Sequence, residues 1–253
     1  MLSVARSRVI VFGLMVLAAM LVVPVNVAVA GTVDIFSNLT NESNNITGTD
    51  VAIPVSPAWA PTTGPGYVWV SYGNTGCNTF VTLTGICTPG PQNPAGVVGT
   101  ITGPEAVAPT AIFYKTFTIT DAFDAGDLHI WADDTARVWL DPGTVTSGDG
   151  SDVPGAVMLI EANPNAGSNC ADAPIGCLPG MDAILPLNLT TGTYTLVIDA
   201  YQFVGGSPFG VAYSGVLSDS TTNGATPEPI SFILTALGLA GVAVIARRRK
   251  RIS

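Results

Sequence analysis

The chain has 253 residues, enough for one domain or two small ones. Apolar residues make up 47% and charged residues 11%, against about 25% charged residues in ordinary soluble domains. Glycine and proline are abundant, at 28 and 19 residues. This composition excludes a long coiled coil or a helical bundle and does not suit a plain cytosolic protein.

The first 30 residues have the organisation of a secretory signal peptide. Arg6 and Arg8 precede an apolar run over residues 9–23, and an Ala-Val-Ala sequence ends at Ala30. A positive start, an apolar middle and small residues at the end are what signal peptidase requires, so we expect cleavage after Ala30. The alternative is an uncleaved membrane anchor, for which the apolar run is short.

The exported part, residues 31–229, is strongly acidic. It contains all 18 acidic residues of the chain, and its cations are Lys115 and Arg137, which gives a formal charge of −16. Such a surface repels nucleic acids and anionic lipids and attracts divalent cations. The sequence therefore excludes nucleic acid as a partner.

Residues 31–217 are predicted to form an all-β domain, an antiparallel β-sandwich or jelly roll. Ten short segments are rich in β-branched or aromatic residues, are bounded by turn-forming residues, and no amphipathic helix separates them. Residues 38–66 are polar or Pro-rich and contain no predicted strand, and residues 218–229 are predicted to be a linker to the membrane. The predicted strands are Thr32–Phe36, Tyr67–Tyr72, Thr79–Leu83, Ala111–Ile119, Asp127–Ala132, Thr135–Asp141, Ala156–Glu161, Ile184–Leu189, Thr193–Gln202 and Gly210–Leu217.

Two segments, Phe117–Asp141 and Gly192–Leu217, together resemble the jelly-roll modules of galactose-binding-like domains. The first has a strand, an Ala-Asp-Asp turn and a second strand, and the second begins with a Gly-x-Tyr-x-Leu strand. The resemblance implies the fold and not a particular ligand.

All four cysteines lie in the exported part, where an even number predicts disulfides. Three pairings are possible. We favour the two that close short loops, Cys77–Cys87 and Cys170–Cys177. Because no Cys-x-x-Cys spacing occurs, a zinc site or a redox centre is not expected.

Few residues point to catalysis. His129 is the chain's only histidine, and no Gly-x-Ser-x-Gly motif surrounds a serine. A glycosidase with two carboxylates stays an alternative because aspartate is abundant, but no pair stands out. The sequence predicts no catalytic residue, and a protein that is not an enzyme.

Calcium is the one cofactor that the sequence suggests, and none is required. Asp121, Asp124 and Asp127 are spaced by three in Asp-Ala-Phe-Asp-Ala-Gly-Asp, and calcium takes six to eight oxygen ligands from such loops. Asp149 and Asp152 form a weaker candidate. The alternative is that these aspartates are turn formers in an acidic protein.

A surface platform for a sugar is predicted on two neighbouring strands. His129 and Trp131 share one face of the first strand, and Arg137 and Trp139 share one face of the second. A hairpin with both apolar faces inward would place Trp131 opposite Arg137, and His129 opposite Trp139. Two indoles could then stack on a sugar ring. The alternative is that these faces pack under another sheet or loop.

The C-terminus has three consecutive parts. Pro227, Glu228 and Pro229 precede an uncharged apolar stretch over residues 230–246, which is the lower length for a transmembrane helix. Residues 247–253 form a basic tail, which is expected to stay in the cytoplasm. The cations of this tail are Arg247, Arg248, Arg249, Lys250 and Arg251.

This arrangement resembles the PEP-CTERM sorting signal. Thr226, instead of the frequent valine, precedes the motif. The resemblance implies a Gram-negative bacterium with an extracellular polysaccharide, and an exosortase that processes the tail near residues 227–229. We therefore expect a structural or interaction protein of the cell envelope or exopolysaccharide matrix, held by the membrane before processing. The alternative is a carbohydrate-binding module that adheres to the polysaccharide.

Overall fold

The computed structural model describes residues 31–219, except 57, 61–65, 82–85, 90–91, 93, 97–100, 102–106, 121–123, 167–169, 172, 204 and 207. The side chains of residues 78–81, 86–89, 124 and 219 are also outside the described set. The predicted signal peptide, Pro-Glu-Pro motif, transmembrane helix and basic tail lie outside these ranges. In the part that is described, no helix is long and apolar enough to cross a membrane.

Residues 31–221 form one compact unit, and its described segments are all-β. A single short 3-10 turn, Gly150–Asp152, accompanies the strands in these segments. The strands are β1 (Thr32–Phe36), β2 (Glu42–Asn44), β3 (Val51–Ala52), β4 (Val70–Ser71), β5 (Cys77–Val81), β6 (Ile86–Pro89), β7 (Ala111–Ile119), β8 (Asp124–Ala132), β9 (Thr135–Pro142), β10 (Val157–Ile160), β11 (Ala183–Leu189), β12 (Gly192–Tyr201) and β13 (Val211–Asp219).

Two antiparallel sheets form the sandwich. The six-stranded sheet has the order β11-β8-β13-β4-β3, and β1 also pairs with β13. The five-stranded sheet has the order β10-β9-β12-β7-β2. Strands β5 and β6 form a separate two-stranded ribbon. The predicted all-β sandwich is thus confirmed.

The core lies between the two sheets and follows the alternation of each strand. Leu128 and Ile130 on β8 are fully buried there, as is Val138 on β9. Leu196 and Ile198 on β12 face the same core. Each residue is flanked by neighbours that point to the outer face, because successive side chains in a strand point to opposite sides.

The predicted β8–β9 hairpin is wrong, since the two strands belong to opposite sheets. Ile130 lies opposite Ala183 and Tyr213, whereas Val138 lies opposite Ile160 and Ile198. The apolar faces of β8 and β9 meet across the sandwich instead of side by side. Both arrangements bury the same residues, so the hydrophobic pattern could not distinguish them.

The turn between β8 and β9 carries the chain from one sheet to the other. Asp134 adopts φ +56°, a left-handed conformation that aspartate tolerates. Its Oδ2 accepts a hydrogen bond of 2.7 Å from the backbone N–H of Phe203. The Ala-Asp-Asp sequence is therefore a buried crossing between sheets.

Candidate functional site

The outer face of the six-stranded sheet carries the first half of the predicted platform. His129 Nδ1 lies 2.6 Å from Asp182 Oδ2, and the His129 side chain is 39% exposed. Trp131 stacks on Tyr67, with ring centroids 5.7 Å apart and planes 9° from parallel. The His129 ring lies 6.1 Å from the Trp131 ring on the same face. The three rings of Tyr67, Trp131 and His129 thus lie side by side, and the Asp182 carboxylate holds the His129 ring in place.

Trp131 is covered by the protein's own loops and is only 7% exposed. It belongs to a buried cluster with Trp59, Trp69 and the Cys170–Cys177 disulfide. Trp131 Nε1 is buried and has no hydrogen-bond partner. The indole therefore acts as a core residue of this outer layer and not as an open surface for stacking a sugar.

The outer face of the five-stranded sheet carries the second half. The Arg137 side chain is 2% exposed, and its Nη2 and Nε lie 2.7 and 2.8 Å from Glu161 Oε1. Trp139 is 9% exposed and donates from Nε1 to Asp199 Oδ2 at 3.1 Å. A Cβ at Gly150 would lie 2.0 Å from the Trp139 ring, so only glycine fits this covering loop.

The four predicted platform residues are thus brought together in pairs, on opposite sides of the sandwich. The expected contacts between Trp131 and Arg137, and between His129 and Trp139, do not form, because β8 and β9 are in different sheets. The alternative stated above, that these faces pack under loops, describes both indoles.

Buried carboxyl groups near Trp139 are a feature that sequence reasoning missed. Asp141 and Asp199 are 0% exposed. Neither oxygen of Asp141 has a hydrogen-bond partner, and Oδ1 of Asp199 also has none. Burial raises the pKa of Asp141 to about 6 and that of Asp199 to about 7, and the charge of Asp149 contributes to both shifts.

Only the positions of Asp141 and Asp199 within their strands could have indicated these buried carboxyl groups from the sequence. Asp141 and Asp199 stand on the polar side of alternating strands, where solvent exposure is the ordinary expectation. They are buried because the segment 143–156 folds back over this face, with Val145 and Val153 packed in a cluster around Trp139. A long-range covering of this kind leaves no periodic trace in the sequence.

A polar groove of about 450 Å³ lies on the five-stranded sheet, beside this covering segment. Its lining side chains are all hydroxyls or amides. They are Asn41, Ser43, Thr116, Thr118, Thr144, Thr146 and Thr193. Thr118 and Thr193 face each other across neighbouring strands, with their hydroxyl oxygens 3.3 Å apart. This surface offers hydrogen bonds and no aromatic ring.

The predicted calcium loop lies largely outside the described residues. Asp121 is outside them, as is the side chain of Asp124, and Asp127 is exposed on β8 opposite Pro186. The calcium assignment to these three residues therefore stays a prediction.

One group of three potential metal ligands within 4.8 Å of one another occurs among the described residues, formed by Asp133, Cys170 and Cys177. Both sulfurs are in a disulfide, so they cannot act as thiolate ligands. Asp133 is buried, and that burial raises the pKa of its carboxyl group well above the usual range. We assign this group to the core and not to a metal.

The disulfide predictions divide into one confirmed and one untested bond. Cys170 and Cys177 are linked, with their Cα atoms 4.9 Å apart. Cys77 is also disulfide-bonded, but the Cys87 side chain is outside the described set, so the Cys77–Cys87 pairing stays a prediction.

Comparison with known proteins gives little further information. No protein-family model matches the chain, and no curated protein sequence does. Among solved structures, the chain is similar to the cleaved adhesin domain of Lys-gingipain from Porphyromonas gingivalis, at 10% identity and a TM-score of 0.34. The match covers 75% of this chain and 98% of the adhesin domain.

Proposed function

We propose that the chain is an exported structural or interaction protein of the cell envelope or exopolysaccharide matrix of a Gram-negative bacterium, sorted by an exosortase and without catalytic activity. The observation that carries this proposal is the order of the C-terminal parts. Pro227-Glu228-Pro229, an apolar stretch and five consecutive cations follow one another, and residues 1–30 have the pattern of a signal peptide. The folded domain then stands between the signal peptide and a transmembrane helix over residues 230–246.

The disulfide chemistry supports export. The Cys170–Cys177 bond is buried in the cluster that contains Trp59, Trp69 and Trp131, and Cys77 is also disulfide-bonded. Disulfides of this kind persist in oxidising compartments and are rare in the cytosol.

The packing of the domain supports a structural role. The large aromatic residues on both outer faces are covered by the chain's own loops, as Trp131 and Trp139 are. His129, the only histidine in the sequence, lies against the Asp182 carboxylate. These features stabilise the fold, and they give the domain two covered faces around one core.

The sorting step is tested by changing the motif. In the native host, Glu228→Ala should leave the full-length protein in the membrane fraction, while wild type is processed and leaves it. Thr226→Ala is the matched control, since it changes a neighbour outside the motif, and it should be processed as wild type. Equal processing of the Glu228→Ala variant and wild type would contradict the proposal.

A second candidate is a carbohydrate-binding module, and the polar groove favours it. Seven hydroxyl or amide side chains line about 450 Å³ of open space. A polysaccharide presents many hydroxyl groups, which such a surface can pair by hydrogen bonds. This site lies on the five-stranded sheet and is separate from the buried indoles.

The groove can be tested without disturbing the core. Thr118 and Thr146 are exposed and line the groove, so changing both to valine removes two hydroxyls at nearly constant volume. Binding to the host's purified exopolysaccharide should then fall about tenfold or more, if each hydroxyl contributes about 1 kcal/mol. Thr32→Val, at an exposed position on the other sheet, is the control. Unchanged binding by the double variant, or no binding by wild type, would dismiss the groove.

A further inference from the structure

The exported part has one lysine, and it is buried. Lys115 lies on β7 between Phe113 and Phe117, which face the core, and its side chain is 6% exposed. A buried ammonium group is costly unless it is paired, and lysine is among the residues least often found inside proteins. Its position therefore calls for an explanation from its partners.

Lys115 reaches an asparagine side chain on a distant part of the chain. Its Nζ donates to Asn38 Oδ1 at 3.0 Å and to the Thr40 carbonyl oxygen at 2.6 Å. The carboxamide carbon of Asn38 is bonded to this oxygen at about 1.2 Å, so it also lies near Lys115 Nζ. Attack requires the carboxamide to turn so that this carbon, and not the oxygen, lies about 3–3.5 Å from Nζ.

A carboxylate lies beside this amine. Glu42 Oε1 is 3.5 Å from Lys115 Nζ, and the Glu42 side chain is fully buried. Its oxygens accept hydrogen bonds from the backbone N–H groups of Asn38 and Leu39 at 3.0 and 2.8 Å, and from the Tyr213 hydroxyl. Glu42 is thus fixed where it contacts both the amine and the residue that carries the carboxamide.

We propose that Lys115 and Asn38 join in an intramolecular isopeptide bond, with Glu42 carrying the proton. Glu42 takes a proton from the Lys115 ammonium, and the neutral Nζ attacks the Asn38 carbonyl carbon. The new Nζ–Cγ bond forms, Glu42 passes the first proton to Nδ2, and the Cγ–Nδ2 bond breaks to release ammonia. Nζ loses its second proton to Glu42 as the amide forms, so Glu42 ends protonated. Nothing is oxidised or reduced, and no further reactant is needed.

The surroundings favour the neutral amine that this reaction requires. Burial lowers the pKa of Lys115 below its usual value, and the charge of Glu42, its hydrogen bond with Lys115 and the charge of Asp50 offset this effect in part. A desolvated lysine next to a general base is an activated nucleophile.

The bond would tie the two sheets together. Asn38 follows β1, which pairs with β13 in the six-stranded sheet, whereas Lys115 is on β7 in the five-stranded sheet. The two residues are 77 apart in the sequence. A covalent link at this point closes one edge of the sandwich, which goes beyond the proposed function but suits a protein exposed outside the cell.

The mass of the wild-type protein decides the question. The chain, purified from its host and reduced, should be lighter than its processed sequence by one ammonia molecule. After denaturation, trypsin should not cleave after Lys115, and a branched peptide should contain both Asn38 and Lys115. A mass that matches the sequence, with normal cleavage after Lys115, would overturn the proposal and leave a buried ion pair.

Variants separate the chemistry from the packing. Lys115→Arg removes the amine, Asn38→Ala removes the carboxamide, and Glu42→Gln removes the proton carrier. Each variant should therefore have the full mass calculated from its own sequence, without the loss of ammonia. Asn41→Gly changes an asparagine of the same loop and suits its φ of +55°, so this control should keep the link. An ammonia loss that persists in Lys115→Arg would place the modification elsewhere and refute the assignment.

Discussion

Replacing Asp50 with asparagine should make the protein less sensitive to rising pH. Asp50 is 5% exposed and accepts a hydrogen bond of 2.7 Å from Asn44 Nδ2. Burial raises the pKa of Asp50 to about 7, the bond from Asn44 opposes this, and the charge of Glu42 adds to it. The folded protein therefore holds a proton on Asp50 that the unfolded chain loses near pH 4.

The sign and the magnitude follow from this difference. Between about pH 4 and pH 7 the folded state binds more protons than the unfolded state, so the free energy of unfolding falls as the pH rises. The folded pKa lies about two units above pH 5, and one unit corresponds to about 1.4 kcal/mol. Asp50 should therefore lower the free energy of unfolding by about 2–3 kcal/mol between pH 5 and pH 8.

Urea unfolding of wild type and Asp50→Asn at pH 5 and pH 8 measures this directly. The fall in the free energy of unfolding from pH 5 to pH 8 should be smaller by about 2–3 kcal/mol in the variant, because asparagine carries no charge to bury. Asp34→Asn, at an exposed position, is the matched control for the removal of one carboxylate. Equal losses of stability by Asp50→Asn and wild type between the two pH values would contradict the raised pKa of Asp50.

Three other outcomes are expected. Trp131→Ala should destabilise the domain by about 3–5 kcal/mol, because the buried indole leaves a cavity; a loss below about 1 kcal/mol in urea unfolding would contradict its core position. Removing the Cys170–Cys177 bond by a double alanine change should cost about 2–3 kcal/mol by the same measurement, and no change would show that the link adds no stability. Calcium should raise the melting temperature saturably at fixed salt, and Asp124→Asn with Asp127→Asn should abolish this; equal effects of magnesium and calcium would leave these aspartates as turn formers.

The sequence predicted the strands best where one face is apolar and the pattern is long. The predicted bounds Thr32–Phe36 and Ala111–Ile119 are those observed. In the predicted strand Thr193–Gln202, core residues such as Leu196 alternate with residues on the outer face such as Thr195. Burial of one sheet face imposes a period of two, and that period is visible in the residues themselves.

Short edge strands were missed because they lack this pattern. The polar or Pro-rich composition of residues 38–66 predicts no strand there, but Glu42–Asn44 pairs with β7 and Val51–Ala52 pairs with β4. The first is a Glu-Ser-Asn sequence, which becomes a strand only because an edge of the five-stranded sheet is available to it. Pairing of this kind depends on tertiary structure and not on local preference.

The candidate sites were predicted less well, since they depend on which strands pair. Choosing the residues of each outer face needed only the alternation, and that part was right. Placing Trp131 beside Arg137 required β8 and β9 to share a sheet, which they do not. The contacts of Lys115 with Asn38 and Glu42 join residues far apart in sequence, and no spacing rule could have indicated them.

The mature ends of the protein give the most direct test of the proposed export and sorting. Mass spectrometry of the wild-type protein from envelope and extracellular fractions should find an N-terminus at Gly31 and a C-terminus close to Pro227-Glu228-Pro229, without the apolar stretch. If every fraction instead contains protein that retains residues 247–251, the tail is only a membrane anchor, and sorting by an exosortase is wrong.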